Sequence, residues 1–350
     1  MINNKGRIMR FLVRAVLVMT LGLETLSSAS AQSSPFKGNQ VFMVVASDVG
    51  GGYDTYARLL ARHIGPYLPG KPAIVVQNMP GAGGLKALDY IVNVAPKDGS
   101  YWGAMPSGIG YEPMLGAPAS GPFEPPAVNW IGSMAKEVAV TILQNPTPIK
   151  TFDDMRQQTV IVGSSGATAT NSIYARMMNS LFDTKFKIVE GYTGQPPVYL
   201  AMERGEVQGS AGLYYSSLVA GKSDWLRDKK VSIIVQIALE KSPDLPDVPL
   251  LYDFAKTDEE RSVLKLALAG LLMGHPFILP KAVSEDRVAL IRRGFSEALQ
   301  DKALLEEAQN MRMPITPLKG EAVSTLITDM YASPKPIIEK VRSIFGPIKN

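Results

Sequence analysis

The chain has no cysteine and only two histidines. The first absence excludes disulfides, thiolate nucleophiles and Cys-ligated zinc or iron–sulfur sites. A chain without disulfides rests on its hydrophobic core, and 350 residues, 46% of them apolar, are enough to build one. His63 falls on the apolar face of a helical pattern, and His275 sits in Gly274-His275-Pro276, at a strand edge or turn. Metal centres usually need more nitrogen or sulfur ligands than this, so each is read as a satisfied structural histidine. No metal and no other cofactor is expected.

Long apolar runs are also missing. Beyond residue 31 each run is broken by Gly, Pro or charge, so no later segment is expected to span a bilayer. The one targeting signal lies at the start. Lys5, Arg7, Arg10 and Arg14 lead into a short apolar run over 15–23, followed by Ala29-Ser30-Ala31. This order reads as a secretory signal peptide cleaved after Ala31, with the mature chain starting at Gln32 in the periplasm. The run is too short for a membrane anchor, which needs about 20 apolar residues. Residues 1–31 hold four basic residues and one acid, Glu24, so cleavage takes the formal charge from +4 to +1. A nearly neutral mature chain gives no footprint for nucleic acid or an anionic membrane surface.

What is present alternates strand and helix. The run over 41–46 is short, apolar and rich in β-branched residues, as in a strand buried on both faces. Gly50-Gly51-Gly52 follows, and Asp54 is placed as the N-cap of a helix carrying Tyr56, Leu59, Leu60, His63 and Ile64 on one face. A strand, a glycine turn and a helix start leave free backbone N–H groups around one point, which suits an anion. The same turn also serves simply to connect strand to helix. Strands over 73–77 and 100–105 end in similar loops, Asn78-Met79-Pro80-Gly81-Ala82-Gly83-Gly84 and Pro106-Ser107-Gly108-Ile109-Gly110. Further strands are expected over 138–143, 159–163, 187–190, 207–213 and 231–239. The strand over 159–163 enters the hydroxyl-rich loop 164–172, where side chains either cap the next helix or meet a ligand. Residues 264–273 read as a strand or a buried helix, and the last third as helices. The pattern predicts an α/β fold with mostly parallel sheets, the loops gathered at the strands' carboxyl edge.

Motifs of catalysis fit poorly. Gly81-Ala82-Gly83 places Lys86 where a dinucleotide fingerprint has its third glycine, and Gly163-Ser164-Ser165-Gly166 is one residue short of a nucleophile elbow. The inventory is that of a binding protein. An exported serine hydrolase acting on small esters, with a serine of 164–172 as nucleophile, is kept as the alternative.

Several stretches together resemble one family, the exported solute-binding proteins of tripartite tricarboxylate transporters, or Bug receptors. They are 50–58 (Gly50-Gly51-Gly52-Tyr53-Asp54 and on), 78–84, Ala95-Pro96-Lys97-Asp98-Gly99, Gly163-Ser164-Ser165-Gly166, Gly191-Tyr192-Thr193-Gly194, Pro317-Leu318-Lys319-Gly320-Glu321 and Tyr331-Ala332-Ser333-Pro334. The resemblance implies a two-lobed periplasmic binding protein of the Venus-flytrap type II, each lobe a sheet flanked by helices. Lobe one would be 32–135 with 238–350 and lobe two 136–237. It implies a monomer that holds one carboxylate of a small organic acid in a pincer of two loops, matching 47–54 and 164–171, largely by backbone amides. Its partners would be the permease subunits of a tripartite tricarboxylate transporter, or a sensor kinase. On this basis the ligand site is expected at Ser47, Gly51, Gly52, Tyr53 and Asp54, at Ser107 and Gly108, at Ser165, Gly166, Ala167, Thr168 and Asn171, and at Tyr192 and Gly194. The chain departs from the family pattern at Ser47, commonly aromatic, and Val49, commonly proline. Ser47 leaves room and adds a hydroxyl, and Asp48 adds a negative charge. Dicarboxylates, tricarboxylates, aromatic carboxylates and amino acids all remain open as ligands.

Overall fold

The computed structural model describes residues 36, 40–111, 128–167 and 169–345. The expected signal peptide, the Pro- and Gly-rich stretch over 116–126 and Thr168 lie outside the described residues.

In chain order the elements are β1 (Gln40–Val45), α1 (Gly52–Ile64), β2 (Ala73–Asn78), α2 (Leu85–Asp89), β3 (Tyr101–Ala104), β4 (Val128–Ser133) and β5 (Ala139–Gln144). Then come β6 (Val160–Gly163), α3 (Thr170–Phe182), β7 (Phe186–Val189), α4 (Gln195–Glu203), β8 (Gly209–Tyr214), α5 (Tyr215–Gly221) and β9 (Val231–Ile237). The last part holds α6 (Asp258–Leu268), β10 (Pro276–Pro280), α7 (Glu285–Ala298), α8 (Lys302–Asn310), β11 (Leu318–Lys319), α9 (Gly320–Tyr331) and α10 (Lys335–Phe345).

The strands form two sheets, ordered β11-β4-β10-β3-β1-β2 and β7-β6-β8-β5-β9. In the first, β1 to β4 point one way while β10 and β11 run back. In the second, β6 to β9 point one way and β5 runs back. Neighbouring strands pair in parallel across β3-β1-β2 and β7-β6-β8 and antiparallel elsewhere, so both sheets are mixed rather than mostly parallel, because β5, β10 and β11 run back. β4, β10 and β11 are additions: β11 has only two residues, and Pro276 and Pro280 bound β10, which masks a strand signature. Residues 264–273 resolve as the end of α6 and a 3-10 turn, with α6 started by a capping box between Thr257 and Glu260.

Burial explains why β1 is continuously apolar. Val41, Met43 and Val45 face the cluster holding Leu59, Leu60 and Ile64 of α1, while Val44 and Ala46 face Leu85, Leu88 and Ile91 on the other side. Successive strand residues alternate faces, so a strand covered on both sides is apolar throughout. Burying each leucine of α1 contributes roughly 1.5–3 kcal/mol. His63 is the structural histidine expected: its Nε2 lies 2.6 Å from Glu307 of α8. Helix α10 packs on α6 and on α3, tying the C-terminus to the helix beside the second sheet. Among the described residues no helix is long and apolar enough to cross a membrane.

Candidate functional site

Both sheets place the carboxyl ends of their strands around one cavity of about 80 Å³. A single water needs about 10–15 Å³ by this measure, so the space suits a small acid. Each sheet presents its topological switch point, where neighbouring strands lead off in opposite directions and a crevice opens. In the first sheet this lies between β1 and β3, contributing Ala46, Ser47 and Pro106. In the second it lies between β6 and β8, contributing Ser165, Gly212 and Tyr214.

The first loop is built by Asp54. Helix α1 begins at Gly52 rather than at Asp54, with Gly51 as N-cap and no side-chain cap. Asp54 instead lies buried in the first turn and reaches back to accept from Gly50 N at 2.8 Å. It also accepts from Arg58 Nε at 2.9 Å and Asn78 Nδ2 at 2.8 Å. Burial alone raises its pKa, but the bonds from Arg58, Gly50 and Asn78 outweigh burial and hold it below the usual carboxylate value. Asp54 therefore braces the turn and is not in the cavity wall, whereas Ser47, Gly51, Gly52 and Tyr53 are. Gly51 N is already given to Asp48 O at 3.3 Å, so the first-turn N–H groups from Gly52 onward are those left without an intrahelical acceptor.

The second loop is braced by hydroxyls and an arginine. Ser164 Oγ donates to Asn171 Oδ1 at 2.6 Å, and Ser172 Oγ lies 2.6 Å from Ser164 Oγ and 2.8 Å from Glu190 Oε1. The Arg176 guanidinium donates to Ala167 O. Helix α3 starts at Thr170, so the N–H groups of Thr170 and Asn171, in its first turn, lack an intrahelical acceptor. Ser165, Ala169, Thr170 and Asn171 line the cavity; Gly166 and Ala167 do not. No serine of this loop is hydrogen-bonded to a histidine among the described residues, so the hydrolase alternative has no serine–histidine pair here.

The two sets of loops also touch each other. The Thr193 hydroxyl donates to Asp48 Oδ2, and Gly194 lies against Asp48. A Cβ on Gly166, at φ +153°, would sit 2.9 Å from Gly83 N, so only glycine allows this approach. Ser107 Oγ and Tyr214 OH are 2.5 Å apart. Burial pushes Tyr53 up to about 12, against hydrogen bonds with Tyr214 and Ser107, so its hydroxyl keeps its proton at neutral pH.

No protein-family model and no curated protein matches the sequence. Solved structures do match in three dimensions. The periplasmic binding protein BugD aligns with a TM-score of 0.71 at 18% identity, over 87% of this chain and 97% of that one. MatC (Rpa3494) from Rhodopseudomonas palustris, solved with bound malate, gives 0.68 at 19% identity, over 88% and 99%. R. palustris Rpa4515 with adipate gives 0.69 at 16% identity, over 88% and 97%. The fold is that of the periplasmic binding proteins.

In a periplasmic-binding-protein fold the cleft separates two sheets, and this explains which expected residues miss the cavity. Ser107 and Gly108 are buried behind it in a 3-10 turn over Ser107–Tyr111. Tyr192 packs against Gly163 instead. Residues overlooked in the sequence include the second glycine turn (Gly81, Gly83, Gly84), Ala169 and Thr170, Thr193 and Gln195, the end of β8 (Gly212, Leu213, Tyr214), Ser217 of α5, and His275 just before a return strand. His275 reaches the site because β10 runs antiparallel to β3, which brings its first residues to the end of β3; Met105 N donates to Pro276 O at 3.0 Å. The ring stacks on Tyr56 with centroids 3.7 Å apart, and Nε2 lies 2.6 Å from buried Glu137. Its Nδ1 has no hydrogen-bond partner, so this histidine is not fully satisfied as expected.

Proposed function

We propose that this protein is an exported solute-binding protein. It captures a small organic carboxylate in the cavity between two lobes and hands it to the permease of a tripartite tricarboxylate-type transporter or to a sensor. The observation that carries this reading is the meeting of two helix starts, α1 and α3, one beside each sheet, at one cavity whose wall contains no Lys or Arg. Partial positive charge at helix N-termini and free N–H groups favour an anion without a cationic side chain. Neighbours of the same fold solved with malate and adipate support the ligand class. The lobes in this reading are 32–135 with 238–350, and 136–237, hinged as a monomer, and the chemistry is binding without catalysis. Export follows the N-terminal pattern, with the periplasmic form starting at Gln32; its intact mass checks this, and a membrane-bound form keeping residues 1–31 contradicts it.

Thermal-shift titration against malate, adipate, citrate and benzoate tests the ligand class. The right acid at about a hundred times Kd adds ~2.7 kcal/mol of stability. Solution scattering at saturation is expected to show a smaller radius of gyration than the free protein, because ligand selects the closed state. A screen with no shift for any acid, or generic ester hydrolysis by the protein, overturns the reading.

A further inference from the structure

A second cavity, of about 230 Å³, adjoins the first. The two share Gly51, Gly52, Gln195 and Ser217 in their walls. The approach at this junction is close. A Cβ on Gly52 would fall 2.1 Å from Ser217 Oγ, so the glycine keeps the space between the compartments free of a side chain.

The second cavity has the composition of a binding compartment. Met311, Met313 and the Tyr56 ring give it apolar surface. Two side chains in its wall, Gln195 and Tyr199, carry buried polar atoms with no hydrogen-bond partner: Gln195 Nε2 and the Tyr199 hydroxyl. Tyr199 is only 6% exposed, and burial pushes its pKa upward, so the hydroxyl is a permanent donor. The two residues are four apart in α4, on one helix face. Buried polar groups in folded proteins are almost always paired, and two orphaned donors in one compartment call for an acceptor that the protein itself does not supply.

Charge narrows the chemistry of that acceptor. No Lys or Arg lines either cavity. Ser216, in the second cavity's wall, is hydrogen-bonded at 2.5 Å to the buried Glu137 carboxyl, which also meets His275. Lys222, with Nζ 5.7 Å from the Tyr199 ring centroid, is in neither wall and is paired with Glu203 at 2.7 Å, so a second carboxylate placed there meets two neutral donors and a cation already neutralised, whereas a neutral carbonyl matches both donors without a buried charge.

We propose that this compartment is a subsite for the far end of an extended ligand, which carries its carboxylate in the first cavity and an uncharged hydrogen-bond acceptor beside Gln195 and Tyr199. The inference rests on the carboxylate-binding reading and deepens it. Four probes isolate it by calorimetry at neutral pH: butyrate, hexanoate, monomethyl adipate and adipate. Monomethyl adipate is expected to bind about tenfold tighter than hexanoate, as two modest hydrogen bonds allow. Adipate is expected to bind no tighter than hexanoate.

Two variants of the full chain follow the gain to its source. Tyr199→Phe deletes one donor and keeps the ring. Gly221→Leu adds a side chain in the compartment wall at a position where a Cβ meets only the Tyr199 ring, at 4.0 Å. Both are expected to abolish most of the monomethyl adipate advantage, with butyrate affinity reporting that the fold and the first cavity are intact. Butyrate bound normally with no gain for monomethyl adipate, or a gain that survives both variants, overturns the subsite alone. Adipate tighter than the monoester overturns the uncharged-acceptor assignment. No binding of any of the four when malate, citrate or benzoate binds in the screen overturns the subsite alone, and no binding of any acid in either set overturns the carboxylate reading itself.

Discussion

Gly52→Pro is expected to weaken carboxylate binding at least about tenfold while leaving the fold intact. The helix start tolerates proline. Gly52 is the first residue of α1, where the N–H has no intrahelical acceptor, and Gly51 is extended at φ −73° and ψ 164°, as a residue before proline prefers. What proline removes is the N–H offered to the anion, and a hydrogen bond to a charged group contributes about 1.5–3 kcal/mol. A steric effect accompanies it, because any Cβ here falls 2.1 Å from Ser217 Oγ. The two are separable. Gly52→Ala keeps the N–H and adds only the clash, so pairing it with Ser217→Ala is expected to restore affinity. Gly52→Pro paired with Ser217→Ala is expected to stay weak. Titration calorimetry of the four variants, with the best acid from the screen, measures both terms. High salt is expected to change little, since the wall holds no Lys or Arg to be screened. Near-normal binding by the Pro/Ala pair, together with complete loss in Arg58→Ala, would replace the amide site with an arginine clamp.

Asp54→Ala is expected to lower the stability of the free protein by about 2–3 kcal/mol, since it removes an acceptor from three donors at once. Gly50 N loses its acceptor, while Asn78 Nδ2 keeps Ser47 O and the Arg58 guanidinium keeps Asn78 Oδ1. Arg58 is 40% exposed and can turn to water, which keeps the loss below that of a fully buried ion pair. Arg58→Ala is accordingly expected to cost less, about 1 kcal/mol, and to leave ligand affinity unchanged because Arg58 is absent from the cavity wall. The Asp54 contribution also has a pH signature. Its folded-state pKa lies below its unfolded value, so the stabilisation is fully present above the unfolded value and is lost as pH falls through the folded one. Urea unfolding from pH 7 down to pH 2 is expected to show a steeper acid loss in the parent protein than in Asp54→Ala. Parallel curves would mean that the buried carboxylate does not contribute in this way.

Local pattern made much of the architecture legible. The apolar run at 41–46, the glycine turn after it and the apolar stripe from Tyr56 to Ile64 each depend on neighbours within a few residues. They form the strand, turn and helix that their spacing implies. The same holds for β6 and the start of α3, so both loops that face the cavity were visible as loops. The finer assignment within them was not. Asp54 and the residues 166–167 have the right chemistry for a ligand, yet the Asp54 carboxylate is spent on Gly50, Arg58 and Asn78, the Gly166 carbonyl on Ala169 N and the Ala167 carbonyl on Arg176. Which polar group is already satisfied depends on partners up to tens of residues away.

Composition, export pattern, strand and helix order and the presence of glycine-rich anion-type turns were determined by the sequence alone, because each follows from short-range periodicity or backbone sterics. The tertiary structure decided the rest. Return strand β10 brings His275 to the end of β3, and Glu137, just before β5, meets it there from the edge of the other sheet. Antiparallel pairing across more than a hundred residues leaves no local trace, since register is set by strands packing side by side and not by the residues adjacent in the chain. The cavity walls, the Asp48–Thr193 contact and the unpaired donors of Gln195 and Tyr199 likewise exist only once two sheets face each other and exclude water from between them.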